Sequence, residues 1–257
     1  MPELPEVETL CRQLQAKIAG EKIRATGIFD EKLKGIGDMC GRIVREVRRS
    51  GKTILLLLDN GQSIAIHLRM TGRLFWHASK TKPRHSRWRM SFAAGNVDLV
   101  DPRRFATVKV VETVPGKEGN DLLTGFDEKA FLERQAKRKI TVKVLLMDPK
   151  AIAGIGNIYA CEILYRAGIS PLRQSATLTP GEWKKIFRLA RRILKKGIEK
   201  RGTSISDWRD LYGCPGENQH ELRVYGQDGK ICPACGGGIV RIKHGGRGTY
   251  YCPRCQK

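Results

Sequence analysis

The chain has 257 residues, enough to bury a core without disulfide staples, and its 40% hydrophobic content sets it apart from a disordered basic tail. Its 48 lysines and arginines outnumber 26 acids, and the formal charge of +22 points to a polyanionic partner, nucleic acid before any other. The apolar runs fall far short of the ~20 residues of a membrane span. The acidic first turn (Glu3, Glu6, Glu8) does not read as a signal peptide, so membrane, secreted and collagen-like classes are excluded.

Val7, Leu10, Leu14 and Ile18 recur at helical spacing and predict a helix from Glu6 to about residue 19, stopped by Gly20. Six short apolar or β-branched runs follow, at 43–47, 53–58, 63–68, 88–92, 97–100 and 107–111, separated by turn signals such as Asp59-Asn60-Gly61. Strands in such succession predict a sandwich or barrel. The composition shifts around 115–119, where a linker is expected, and helical patterns then cover 128–146, 158–167 and 180–200. The last pattern has Ile186, Leu189, Ala190, Ile193 and Leu194 on one face. Its other face carries Lys184, Lys185, Arg188, Arg191, Arg192, Lys195 and Lys196 with no acid among them. Such a face is either merely solvated or electrostatic in purpose.

The eight cysteines divide unevenly. Cys11, Cys40, Cys161 and Cys214 stand singly and read as buried or idle thiols. Cys232, Cys235, Cys252 and Cys255 form two C-x2-C pairs separated by sixteen residues, a spacing that brings four sulfurs to one structural Zn2+. In a chain without a secretion signal this reading displaces a pair of disulfides.

The amino terminus, Met1-Pro2-Glu3-Leu4-Pro5-Glu6, reads first as a helix start, with prolines and acids in the opening turn. Removal of Met1 would expose the secondary amine of Pro2. Such an amine attacking a sugar C1′ gives an iminium that acidifies the neighbouring C2′ hydrogen. The helix N-terminus lowers the amine pKa and the nearby carboxylates raise it, a balance that the sequence leaves open.

Five motifs stand in order: the N-terminal run, His67-Leu68-Arg69-Met70-Thr71-Gly72, Asp101-Pro102-Arg103-Arg104-Phe105, Ala153-Gly154-Ile155-Gly156-Asn157-Ile158-Tyr159-Ala160, and Gly245-Gly246-Arg247-Gly248-Thr249 before the last cysteine pair. Together they resemble the bacterial formamidopyrimidine-DNA glycosylases, bifunctional base-excision repair enzymes, over essentially the whole chain. The resemblance implies an α+β multidomain fold. An N-terminal β-sandwich with a flanking helix would occupy 1–114 and a linker 115–127. A helix–two-turn–helix DNA-binding domain with a lesion-capping loop would occupy 128–223, and a zinc ribbon 224–257. Damaged double-stranded DNA would bind between the lobes of a cytoplasmic bacterial monomer that works on the nucleoid and has no membrane partner.

Residue by residue, the resemblance makes Pro2 the nucleophile and Glu3 the general acid/base, supported by Glu6. Lys52 would donate a proton and contact phosphate, and Arg247 would serve the second elimination. Met70, Arg103 and Phe105 match a trio inserted into kinked DNA once the damaged nucleotide is flipped out. Read without the resemblance, Met70 and Phe105 are core residues and Arg103 is a phosphate contact. Gly154 and Gly156 admit a phosphate close to the backbone, with Asn157 donating. His85, Arg138 and Lys139 match backbone contacts, and each reads equally well as a solvated surface residue; His67 reads as structural.

The implied activity is excision of oxidised purines through a Pro2 Schiff base, followed by β- and δ-elimination. The alternatives are an endonuclease VIII-like enzyme for oxidised pyrimidines, a damaged-DNA binder without turnover, and a zinc-ribbon transcription accessory factor. Leu4 and the Asp101–Phe105 motif favour the purine enzyme over the first of these. Several positions depart from the family pattern: Arg69 in place of a glycine, Asn120-Asp121-Leu122, Pro149, Glu217-Asn218-Gln219 and Gln227.

Overall fold

The computed structural model describes residues 2–112 and 120–257, so the start of the expected linker lies outside the described residues. Packing divides the chain into two compact units. One is built on the N-terminal part together with Ile198–Gln219, the other on the part up to residue 197 together with His220–Lys257.

The first unit opens with α1 (Leu4–Ile18), β1 (Ala25–Ile28) and a 3-10 turn, Glu31–Ile36. Seven further strands follow: β2 (Val44–Ser50), β3 (Thr53–Leu58), β4 (Ser63–His67), β5 (Arg73–His77), β6 (Ser86–Ser91), β7 (Asn96–Val100) and β8 (Thr107–Val111). They form two antiparallel four-stranded sheets, ordered β1-β6-β7-β5 and β2-β3-β4-β8. One core joins both sheets to α1. Val7, Leu10, Leu14 and Ile18 of the helix meet Ile54, Leu56, Ile64 and Ile66 of one sheet and Leu74, Trp88, Met90, Val97 and Leu99 of the other.

All six predicted strands form, and β1 and β5 are additional. β1 has only four residues, one of them Gly27, and β5 shows no strict alternation of burial. Trp208 and Leu211 from the returning segment also enter this core. Polar bonds fix them: Gln13 Nε2 donates to Asp210 at 2.9 Å, Leu211 N–H donates to Gln13 Oε1 at 3.0 Å, and Trp76 N–H donates to the Leu211 carbonyl at 2.9 Å.

Two loops of the first unit are fastened by buried acids. The Asp101 carboxylate accepts from the Thr71 hydroxyl at 2.6 Å, from the N–H groups of Arg103 (3.2 Å) and Ala106 (2.7 Å), and from Arg87 at 3.3 Å. Asp101 therefore ties the 68–72 turn to the 101–106 loop. Burial alone would raise its carboxyl, but the bonds from Thr71, Ala106, Phe105 and Arg103 outweigh that and hold it below the usual carboxylate range. Asp30 lies between Arg87 and Arg104, and Arg104 adopts a left-handed φ of 58° to reach it. The Arg104 bond, ahead of those from Lys32 N–H and Arg87, holds Asp30 well below the usual carboxylate range despite its burial.

The second unit contains α2 (Glu128–Ala130), running into a π-helical turn Phe131–Gln135, then α3 (Val142–Met147), α4 (Asn157–Ala167), α5 (Pro180–Glu199) and the hairpin β9 (Val240–His244) and β10 (Arg247–Tyr251). The helix predicted over 128–146 is thus broken. The Ile140 carbonyl accepts Ser175 N–H at 2.8 Å and the Arg173 carbonyl accepts Val142 N–H at 2.8 Å, so this backbone pairs with 173–175 instead of with itself. Phe126, Phe131, Trp183 and Phe187 pack ring against ring and seat α5 on the π-helical turn. Two of the departing positions meet here: Asn120 Nδ2 donates to the Pro149 carbonyl at 3.0 Å, and Ala153 N–H donates to the Asn120 carbonyl at 2.9 Å. Among the described residues no helix is long and apolar enough to cross a membrane.

Gly72 closes the 68–72 turn, and a Cβ there would lie 2.5 Å from the Leu68 carbonyl oxygen and 2.8 Å from Ala106 Cβ. Gly72→Ala is expected to destabilise the chain by about 1–3 kcal/mol, read as a lower denaturant midpoint. Asp30 has its pKa depressed by folding, so its contribution is present above the unfolded value of about 3.9 and drains away as pH falls toward the folded one. Asp30→Asn is therefore expected to cost about 1–3 kcal/mol at pH 7 and to flatten the acid limb below about pH 4 in a series of urea midpoints.

Candidate active site

Pro2 and Glu3 are buried at the N-terminus of α1, with Glu3 as the N-cap in extended conformation. A capping box holds them. Glu3 N–H donates to Glu6 Oε2 at 2.7 Å, and the Glu3 side chain receives the Glu6 N–H in return. The second oxygen of Glu6 accepts Thr203 N–H at 2.7 Å. Glu6 thereby positions both the first residues and the start of the 203–219 segment. Gly202, at φ 85°, lets that segment come close, since a Cβ there would sit 2.8 Å from Glu6 Cγ.

The segment expected to cap a flipped base is bonded to itself. Asn218 Nδ2 donates to the Thr203 hydroxyl at 2.8 Å, Ser204 N–H to Gln219 Oε1 at 3.0 Å, and Gln219 Nε2 to the Gly216 carbonyl at 2.7 Å. Two of the three departing residues here, Asn218 and Gln219, are thus bonded within the segment.

Lys52 stands in the two-residue Gly51-Lys52 turn between β2 and β3, where Ser50 pairs with Thr53. The next pairing, Thr53 with His67, places His67 one strand away. Arg69 N–H donates to His67 Nδ1 at 3.1 Å, which leaves the ring proton on Nε2. Burial, then the charges of Arg69 and Lys52, lower the His67 pKa to about 4, so the ring is neutral at physiological pH.

Arg69 itself is exposed at φ 55°, a backbone conformation that glycine would adopt without strain. Met70 beside it and Phe105 are each 46% exposed, so neither is a core residue. The Arg103 guanidinium lies 4.7 Å from the Phe105 ring centroid, an exposed cation–ring pair on the same loop. His85, exposed at φ 63°, accepts Asp101 N–H on its carbonyl and borders a 290 Å3 pocket lined also by Phe29, Asp30, Arg87 and Arg104.

In the second unit Asn157 opens α4. Its Nδ2 donates to the Gly248 carbonyl at 2.9 Å, and its Oδ1 accepts from Lys143 Nζ at 2.6 Å. Lys143 is 1% exposed and also donates to the Thr249 hydroxyl at 2.7 Å, so one ammonium locks α3, α4 and β10 together. Sequence reasoning missed Lys143; its signal was a lone cation inside the apolar run Val142-Lys143-Val144-Leu145-Leu146.

This lock places the hairpin. Gly245 and Gly246, both at positive φ, form the two-residue turn that leaves Arg247 exposed at the head of β10. Thr141 Oγ1 lies 2.7 Å from His244 Nε2 on the other strand. Arg138 is ion-paired with Asp148 at 2.6 Å, which fixes its direction, and Lys139 follows it.

The sulfurs of Cys232, Cys235, Cys252 and Cys255 all lie within 4.8 Å of one another, with 3.7 Å between Cys232 and Cys255 and 3.5 Å between Cys235 and Cys252. A tetrahedron with Zn–S bonds of about 2.3 Å has S–S edges of about 3.8 Å, so this donor set fits one Zn2+. The Cys235 sulfur, with burial and the two other sulfurs, pushes the Cys255 thiol up to about 12, a crowding of thiolates that a dication relieves. The Tyr165 hydroxyl of α4, 3.4 Å from Cys232 Sγ, and Gln256 Oε1, which accepts Cys252 N–H at 2.8 Å, brace the ligands. None of the eight cysteines forms a disulfide.

Three family models match in succession: the formamidopyrimidine-DNA glycosylase N-terminal domain at residues 1–108, the formamidopyrimidine-DNA glycosylase H2TH domain at 119–208, and the zinc finger found in FPG and IleRS at 229–257. Formamidopyrimidine-DNA glycosylase of Pelotomaculum thermopropionicum is 40% identical over 100% of this chain and 99% of its own length, and that of Carboxydothermus hydrogenoformans 39% over 100% of both. Among solved structures, a Lactococcus lactis FPG mutant in complex with a Fapy-dG-containing DNA superposes with a TM-score of 0.91 at 32% identity, covering 100% of both chains. MutM in complex with carbocyclic 8-oxo-G-containing DNA gives 0.90 at 31% identity, also covering 100% of both. The chain belongs to the formamidopyrimidine-DNA glycosylase family.

Proposed function

We propose that this protein excises oxidised purines, 8-oxoguanine and formamidopyrimidines, from duplex DNA and then nicks the strand at the resulting abasic site. The observation that carries the reading is the N-terminal capping box, in which one oxygen of Glu6 holds Glu3 N–H and the Glu3 side chain accepts the Glu6 N–H, so that Pro2 and Glu3 are held at the start of α1. The names of the relatives and the lesion-bearing DNA in the neighbouring complexes support the substrate class.

With Met1 removed, the Pro2 nitrogen forms a bond to C1′ as the glycosidic bond breaks and the base leaves with a proton. Glu3 protonates the sugar-ring oxygen as the ring opens and the nitrogen becomes an iminium. Loss of the C2′ proton sends its electron pair toward that iminium and expels the 3′ phosphate, and a second elimination expels the 5′ phosphate. Lys52 and Arg247 are assigned to the departing phosphates, where fixed cations stabilise developing charge. Met70, Arg103 and Phe105 are assigned to the gap left by the flipped nucleotide, because an exposed thioether and an exposed ring with a cation over it suit unstacked bases.

His85, Arg138 and Asn157 are assigned to the DNA backbone. Zinc, when bound, fixes the two cysteine knuckles and supplies no reaction chemistry. The bacterial relatives support work in the cytoplasm, where we assign the protein a monomeric state.

Borohydride trapping on a duplex with 8-oxoguanine opposite cytosine, after intact mass has confirmed loss of Met1, is expected to give a covalent protein–DNA band. That band should vanish in Pro2→Gly, whereas no band on either the lesion or an abasic duplex would leave a binder without turnover. Zinc chelation is expected to abolish strand scission, checked by metal content and nicking on the same sample, because a ribbon this small has almost no core of its own. Full scission by verified zinc-free protein would remove the role assigned to Arg247.

A further inference from the structure

The basic face of α5 has no part in the reaction described above. The helix buries Trp183, Ile186, Phe187, Ala190 and Leu194, and the helical period therefore turns Lys184, Lys185, Arg188, Arg192 and Lys195 to solvent, all five exposed. Two further cations of the face are neutralised, Arg191 by Glu128 at 2.7 Å and Lys196 by Glu221 at 2.6 Å. The other five have no carboxylate within 4.0 Å among the described residues.

Their spacing is unfavourable for the helix by itself. Lys184–Arg188 and Arg188–Arg192 are like-charge pairs at i,i+4, and Lys185–Arg188 and Arg192–Lys195 at i,i+3. A polyanion relieves that repulsion. At 1.5 Å per residue, Lys184 to Lys195 spans about 16 Å, over which one DNA strand presents about five phosphates.

Other partners lack what they need. Among the described residues the large exposed apolar side chains all lie outside α5, so the face offers a protein partner no anchor. The apolar side of the helix is buried in the core, leaving nothing to insert into a bilayer.

We propose that the exposed face of α5 is a second DNA-backbone contact, blind to sequence and to damage, that holds undamaged duplex while the chain searches. The identity of the polyanion rests on the repair function proposed above; the existence of the contact does not. The test is a combined variant, Lys184→Gln, Lys185→Gln, Arg188→Gln, Arg192→Gln and Lys195→Gln, with the single Arg188→Gln beside it. Glutamine matches lysine and arginine in helix propensity, so thermal midpoints are expected at or above wild type.

On undamaged duplex, the combined variant is expected to make the slope of log affinity against log salt shallower by about 2 to 4.5, and Arg188→Gln by about 0.9. Single-turnover excision at saturating enzyme should stay at the wild-type rate. An unchanged salt slope in both variants overturns the proposal and assigns the face to an acidic protein or to solvent. A fall in saturating excision equal to the fall in affinity also overturns it, since the face would then belong to the lesion site. A wild type that excises nothing while the slope still falls refutes the enzymatic reading and leaves the contact standing.

Discussion

A buried carboxylate accepting backbone N–H groups is the interaction on which the rest of this structure depends. Several candidate site residues, among them Glu3, Met70, Arg103 and Phe105, sit outside helices and strands, where amides have no ladder to satisfy them. Glu6 takes Glu3 and Thr203, Asp101 takes Arg103 and Ala106, Asp210 takes Tyr212 and Cys214, and Glu162 takes Arg223, Val224 and Tyr225. Each acid converts a loop into a fixed platform.

That use of acids also explains the charge of the surface. Among the described residues, eight buried acids (Glu3, Glu6, Asp30, Asp98, Asp101, Asp121, Glu162 and Asp210) stand against two buried cations, Arg87 and Lys143. The scarcer sign is drawn inward and the more abundant one is left outside. The exterior is therefore more basic than the composition alone implies, and a chain built this way meets polyanions with most of its cations free.

Much of this was legible beforehand. β3 and β8 begin and end where apolar or β-branched runs place them, and the four-sulfur cluster follows from cysteine spacing. What escaped the sequence was decided by partners distant along the chain. The helical pattern over 128–146 was outcompeted by pairing with 173–175, which no local period encodes. The polar, glycine-containing stretch 202–219 carries no local sign of belonging to the first unit, yet Gln13, nearly 200 residues earlier, receives it through both atoms of one amide. In the candidate site, Pro2, Glu3 and Arg247 could be named from motifs, whereas Lys143 could not. A buried ammonium held by an asparagine and a threonine has no signature except its oddness among leucines.

The sharing of Glu6 carries a consequence for local unfolding. Its two oxygens serve Glu3 N–H and Thr203 N–H, so neither amide can be released without disturbing the carboxylate that holds the other. The first turn of α1 and the start of the 203–219 segment thus open as one cooperative unit, although two hundred residues separate them. Whatever loosens that segment also unpins the residue proposed as nucleophile, and whatever orders it sharpens the aim of Pro2. The order of the first turn and the order of the 203–219 segment are, in this architecture, a single conformational coordinate.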